Sequence, residues 1–256
     1  MLTAVRFVFG AVCVVKAVSL LISKTGASFS LLAIAVVAAG TLMIAAAVAL
    51  MIGYRRRTAA AVIVATGLLF LIPLGAYSSH LYLLILIALI LAVDIEVESL
   101  LKFQLTVVYV FGTLAKLNEV WLSGTDLYIS MVKQAPFWET FIAQPAGSAL
   151  LIPLSIGVVV AEGFLAVGFW FKSTRWIALV VGVGLHAGIL ITLATNIVGV
   201  MTLLVFGGLM FTLYIPFFSD KIDPWWERRA GRFPASTRVF ADKRTSTGTD
   251  PVESHN

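Results

Sequence analysis

Charge and cysteine are both scarce in this chain. Only 12% of its 256 residues are charged, against roughly a quarter in soluble domains. A water-facing surface cannot be assembled from so few charges. The single cysteine, Cys13, excludes a disulfide framework and any chemistry that needs a thiol pair. With three histidines and one cysteine, widely dispersed, no metal-ligand spacing is present either. A phosphate-cradling glycine loop ending in lysine and a serine nucleophile elbow are also missing. The net charge of +5 is not a nucleic-acid footprint, because the basic residues flank hydrophobic runs, where membrane topology places them.

What the chain has instead is length in apolar residues: 60% are hydrophobic and the mean hydropathy is +1.02. A membrane span takes about 20 mostly apolar residues. The pattern predicts an all-α, polytopic membrane bundle of about eight spans, at 4–23, 30–53, 58–77, 80–97, 104–121, 149–171, 175–197 and 198–218. Lys16 interrupts the first apolar run and no clean small-residue cleavage site follows. That run therefore reads as a retained helix rather than a signal peptide. "YRRR" at 54–57, "KSTR" at 172–175 and the arginines and lysines after residue 218 all fall on one side if both termini are cytoplasmic.

The chain is thus expected to comprise a transmembrane domain over 1–218 and a basic, partly disordered cytoplasmic tail over 219–256. "DPWWERR" at the start of that tail reads as an interfacial anchor, and His255 as nothing. The connection 122–148 mixes Tyr128, Phe137, Trp138 and Phe141 with polar residues. It is expected to form an interfacial helix or lid. No internal repeat is evident, which argues against a transporter built from repeated halves.

Polar residues inside spans are functional candidates by default. Lys116, in "VFGTLAKLNEVWLSG", is expected about 8 Å inside the outer end of the fifth span. It reads either as a lysine that snorkels to the interface or as a desolvated base. Tyr109 and Gly112 share its helical face, and the glycine leaves room for a helix or a ligand. His80 opens the fourth span at the same outer end, as an interfacial histidine or a site residue. His186 lies near the middle of the seventh span among Gly182, Gly184 and Gly188, where a helix-bridging hydrogen bond is the plain alternative. Glu162, at similar depth in the sixth span, needs a partner, with His186 or Lys116 the candidates. Together these groups are expected to line one cavity. Lys16 reads as a lysine that snorkels outward, and Asp94, Glu96 and Glu98 as a solvated edge.

The run "QLTVVYVFGTLAKLNEVWLSG" (104–124) resembles the signature of the vitamin K-dependent gamma-glutamyl carboxylases and their bacterial single-domain relatives, the horizontally transferred transmembrane (HTTM) domain proteins. The resemblance lies in Tyr109, Gly112, Lys116, Leu117, Asn118, Trp121 and Gly124. "SSHLYLLILIALIL" and "RWIALVVGVGLHAGILITL" are similar to the family's two histidine segments. The likeness covers roughly residues 70 to 215.

It implies a membrane enzyme in which Lys116 starts the reaction by deprotonating a reduced naphthoquinone of vitamin K or menaquinone type. Dioxygen and carbon dioxide would be co-substrates and a peptide glutamate the group carboxylated. His80 would assist, His186 would shape the pocket, and Tyr109, Gly112, Asn118, Trp121 and Glu162 would surround the quinone. Membrane lipid and a small secreted peptide or protein are the partners implied, with no metal. The alternative is a non-catalytic, DoxX-like quinone-binding or peptide-maturation accessory protein, since such proteins carry a similar Gly-x-x-Lys-Leu helix.

Overall fold

With no water to bond the backbone, an apolar segment in a bilayer satisfies its amides within itself, and the helix does so at every residue. The computed structural model describes residues 1–24, 31–73, 75–76, 78–134, 137–142, 145–193 and 197–220, and among them every element is helical. In chain order these are α1 (Leu2–Lys24), α2 (Leu31–Ile52), α3 (Arg56–Leu71), α4 (Ser79–Val93), α5 (Val97–Lys116), α6 (Glu119–Leu122), α7 (Thr125–Gln134), α8 (Phe137–Ile142), α9 (Pro145–Gly168), α10 (Arg175–Leu193) and α11 (Ile197–Tyr214). A short 3₁₀ turn, Ile215–Phe218, follows. Met1–Phe217 forms one compact unit; of the second, Phe218–Asn256, only its first three residues are described. The tail, with "DPWWERR" and His255, therefore lies outside the described residues, as do the side chains of Phe137, Trp138 and Phe141.

Among the described residues six segments are long and apolar enough to cross a membrane: Leu2–Ser23, Ala33–Ile52, Val97–Lys116, Ala149–Gly168, Arg175–Thr192 and Gly199–Phe218. The other two expected spans fall on helices of 16 and 15 residues, α3 and α4, shorter than the roughly 20 a span takes. Large apolar side chains face outward, with Ile52 75%, Ile191 74% and Val180 70% exposed. Such a surface suits lipid rather than water, and the chain is a membrane protein.

The bundle is wound around α11, which touches α1, α4, α5 and α10. α1 also packs on α2, α2 on α3, α3 on α4, and α9 lies between α5 and α10. Phe9, Met43, Phe70, Ile87, Leu105, Phe169, Val205 and Leu213 are buried in its core.

Two boundaries differ from expectation, and both differences bear on the site. The fourth span was expected to run to residue 97, but α4 stops at Val93. Asp94 and Glu96 adopt left-handed conformations (φ 58° and 41°) that turn the chain directly into α5. Glu98 and Lys102, left outside the expected span 104–121, form an i,i+4 ion pair at 2.6 Å and belong to α5. The acidic edge is anchored by Arg57, whose Nε donates to Asp94 Oδ2 at 3.0 Å.

At its far end α5 stops at Lys116 rather than continuing to residue 121. The reason is Asn118, whose Oδ1 accepts from the Trp121 amide at 3.0 Å and so caps the next helix, α6. Its Nδ2 donates back to the Ala115 carbonyl at 2.8 Å. Lys116 is thus the terminal residue of its helix.

The connection beyond carries α7 and α8. Met131 and Ile142 cluster with Leu151 of α9, and Tyr128 is exposed. The segment turns at Gly124, which has φ +80° and sits against Leu151; a Cβ there would stand 2.8 Å from the Leu151 Cβ. Gly124→Ala is expected to lower stability by about 1–3 kcal/mol through backbone strain and crowding. Thermal unfolding in detergent measures it, and an unchanged melting temperature would contradict this account of the turn.

Candidate functional site

One face of α5 carries a polar stripe at three- and four-residue steps: Glu98, Lys102, Thr106, Tyr109, Thr113 and Lys116. Inside an apolar bundle each such group needs a partner, and the stripe is satisfied along its length. Thr106 Oγ1 accepts from Trp170 Nε1 at 2.9 Å, and Thr113 Oγ1 donates to the Tyr109 carbonyl at 2.8 Å. The two remaining members, Tyr109 and Lys116, reach across to other helices.

Lys116 Nζ donates to both carboxylate oxygens of Glu162 on α9, at 2.9 and 2.8 Å, and to the Gly112 carbonyl at 3.3 Å. Of the two candidate partners for Glu162, the carboxylate therefore takes Lys116. The lysine and glutamate side chains are 23% and 12% exposed, so the pair is largely shielded. Gly112 makes the approach possible: a Cβ there would stand 3.3 Å from Glu162 Oε2. The room foreseen beside this glycine is filled by a carboxylate.

The Trp121 ring lies beneath the ammonium, 5.2 Å from its centroid, a cation–π distance. Its Nε1 donates to the Ser155 carbonyl at 3.1 Å, tying α6 to α9. Asn118 does not touch Lys116; it acts by ending α5 and starting α6.

Tyr109 leads to the second group. Its hydroxyl hydrogen-bonds His186 Nε2 at 3.3 Å, and it makes a very short hydrogen bond to the Tyr214 hydroxyl. Tyr214 stacks on Phe169 with ring centroids 4.7 Å apart. Gly182 makes space for it, since a Cβ there would stand 2.5 Å from the Tyr214 hydroxyl. Gly184 and Gly188, expected to serve the same purpose, have nothing within 4 Å of such a Cβ. His186 Nδ1 is buried, and no hydrogen-bond partner for it is found among the described residues.

The two histidines do not touch. Phe206 of α11 stands between them, its centroid 5.0 Å from each imidazole, tilted to His80 and edge-on to His186. Ser79 Oγ lies 3.2 Å from His80 Nδ1. His80 also lies within electrostatic reach of Lys16 of α1. The expectation that Lys16 snorkels outward is overturned: the residue is only 5% exposed. It lies on the face of α1 that also buries Val12 and Cys13.

The expected residues thus form two poles. Lys116, Glu162, Gly112 and Trp121 make one; His186, Tyr109 and Tyr214 run from it toward Phe206, His80 and Lys16. Tyr109 joins them, and the Glu162 charge bears on its hydroxyl. Tyr214 and Phe206 were not foreseen, and Lys16 was expected to point outward. Tyr214 ends an apolar helix, where a tyrosine ordinarily reads as an interfacial anchor, and Phe206 is one of 17 phenylalanines. Among the described residues no group of three or more metal-ligating side chains is found. Compared with protein-family models, with curated proteins and with solved structures, the chain matches none.

Removing one member of a shielded pair strands the other. Glu162→Gln is expected to destabilise the protein by about 3 kcal/mol, and the double variant Lys116→Met with Glu162→Gln to recover most of that. Unfolding of the two single variants and the double variant measures the coupling. Additive effects would show that the pair contributes nothing.

Proposed function

We propose that this chain is a multi-pass enzyme of a bacterial cell membrane, with chemistry like that of the vitamin K-dependent gamma-glutamyl carboxylases. In this reading eight helices cross the bilayer, both termini are cytoplasmic, and the site lies near the non-cytoplasmic face. The observation that carries the proposal is the Lys116–Glu162 pair. An amine that is to act as a base must first give up its proton, and Glu162 Oε1 and Oε2, at 2.9 and 2.8 Å, are placed to take it. Nζ can then accept a proton from an acidic hydroxyl held beside it.

The residues fit a reduced naphthoquinone, a flat apolar ring system with an oxygen at each end. His186 Nδ1 is a buried polar atom with no partner among the described residues, and the Phe206 and Trp121 rings offer flat apolar surface beside the imidazoles and the ammonium. Lys116 and His186 would hold the oxygens, with His80 beyond Phe206. When bound, such a cofactor, with dioxygen, supplies a base strong enough to remove a proton next to a glutamate carboxylate, where carbon dioxide can add. Tyr109, itself bonded to Tyr214, holds His186 in place through Nε2, leaving Nδ1 for the ligand.

A second reading is favoured by the saturation of Lys116. Its ammonium has three acceptors, Gly112 O and the two oxygens of Glu162, as a structural pin would. In that case the chain is a DoxX-like, non-catalytic quinone-binding or peptide-maturation subunit.

The two readings part at Lys116→Arg, which preserves a cation for Glu162 but provides no usable base. The purified protein would be supplied with a reduced menaquinone-type naphthoquinone, oxygen, labelled carbon dioxide and a glutamyl peptide. Wild type is expected to incorporate label, while Lys116→Arg and Lys116→Ala lose about 10²–10⁴-fold yet keep naphthoquinone in their lipid extracts. Full turnover by Lys116→Arg would remove Lys116 as the base. Co-purified quinone without incorporation by wild type would favour the accessory subunit.

A further inference from the structure

Two hydroxyls and one imidazole share a small set of hydrogen bonds, and counting their hydrogens decides which way each bond runs. The Tyr109 hydroxyl meets both His186 Nε2, at 3.3 Å, and the Tyr214 hydroxyl. Tyr109 and Tyr214 are buried, at 3% and 2% exposure. Among the described residues Tyr109 is the one hydrogen-bond partner of the Tyr214 hydroxyl, and His186 Nδ1 has none. With a neutral ring the set holds three hydrogens, one on each hydroxyl and one on the imidazole.

Three arrangements are open to them. In the first, Tyr214 donates to Tyr109, Tyr109 donates to Nε2, and the ring hydrogen sits on Nδ1. Only that Nδ1–H is then left over. In the second, Nε2–H donates to Tyr109 and Tyr109 donates to Tyr214, which strands the Tyr214 hydrogen and also the Nδ1 lone pair. In the third, Nε2–H and Tyr214 both donate to Tyr109, which strands the Tyr109 hydrogen and again the lone pair. Each buried orphan carries its own desolvation cost. One orphan is therefore favoured over two. In water the neutral side chain prefers its hydrogen on Nε2, but that bias is smaller than the cost of a second buried orphan.

We infer that Tyr109, backed by Tyr214, holds His186 as the tautomer with its hydrogen on Nδ1, so that the ring offers an N–H to an acceptor oxygen. The ligand atom it suits is a carbonyl or an oxyanion; a group that can only donate a hydrogen is refused. Tyr109 is a positioning residue here, acting on the ligand through the ring. The tautomer follows from the hydrogen bonds alone, while a naphthoquinone as the source of the acceptor rests on the reading given above. A quinone carbonyl and the oxyanion of its deprotonated hydroquinone both accept from such an N–H, and the bond strengthens as negative charge grows on the oxygen.

The test uses the full chain in a non-ionic detergent at neutral pH, labelled with ¹⁵N-histidine. Long-range ¹H–¹⁵N correlation separates a protonated ring nitrogen from a bare one. The signals lost in His186→Gln identify that ring among the three histidines. Wild type is expected to show a protonated Nδ1 and a bare Nε2. Tyr214→Phe should keep this pattern, because Tyr109 still donates to Nε2. Tyr109→Phe should shift it toward Nε2–H, a change that loss of a merely space-filling ring does not produce. Added 2-methyl-1,4-naphthoquinone should move the wild-type Nδ1 signal and bind at least about tenfold more weakly to Tyr109→Phe. A wild-type ring protonated on Nε2 or on both nitrogens would overturn the inference, as would an Nδ1–H that persists in Tyr109→Phe. A wild-type Nδ1–H that does not respond to the quinone supports the tautomer and counts against a naphthoquinone as its acceptor.

Discussion

An ion that leaves water for an apolar bundle must find its counter-charge there, and this requirement organises the middle of the molecule. Lys116 on α5 and Glu162 on α9 meet across the two helices, and each settles where the other can be. The approach depends on the missing side chain at Gly112 and on the break at Leu117 that leaves Lys116 at a helix end. A cation at that position also suits the unsatisfied carbonyls of the last turn, one of which, Gly112 O, it binds. Trp121, brought back by α6, covers the ammonium and bonds α9 in turn. Pair, helix terminus and aromatic cover are therefore one construction.

Along the same face of α5 the requirement is met by neutral groups. Tyr109, Tyr214 and His186 satisfy one another in a cluster drawn from α5, α11 and α10. The cluster is possible because Gly182 lets the Tyr214 ring come close. Shared polar contacts of this kind set the rotation of three helices that apolar contact alone would leave free to slide. Among the described residues the cluster leaves His186 Nδ1 without a partner, and the buried Lys16 has no ion pair. Most other described polar groups in the core are bonded locally, as Thr66 is to the Val62 carbonyl and Thr212 to that of Gly208.

The all-helical, membrane-embedded character was legible from composition, because apolar runs of span length leave no other way to satisfy the backbone. The helix ends were harder to read. The expected fifth span began at residue 104, but Glu98 and Lys102, paired one turn apart, belong to α5. That span also included Leu117 to Trp121, where Asn118 instead starts a new helix. Among the site residues, the need of Glu162 for a partner could be read, and Lys116 was one of two named candidates. Distance in sequence hid the rest. Tyr214 lies 105 residues from the Tyr109 hydroxyl it binds, and nothing in a run of apolar residues marks Phe206 as the ring between two histidines. Lys16 misled for a physical reason: a long side chain can reach outward or lie inward, and only its packing neighbours decide.

The place of Phe206 has an implication for proton traffic. A benzene ring neither gives nor takes a proton, so it works as an insulator between the two imidazoles it separates. Protons exchanged among Lys116, Glu162, Tyr109 and His186 have no hydrogen-bonded wire to His80 through that ring. Among the described residues the two imidazoles are thus connected through a shared apolar ring and not through a hydrogen bond.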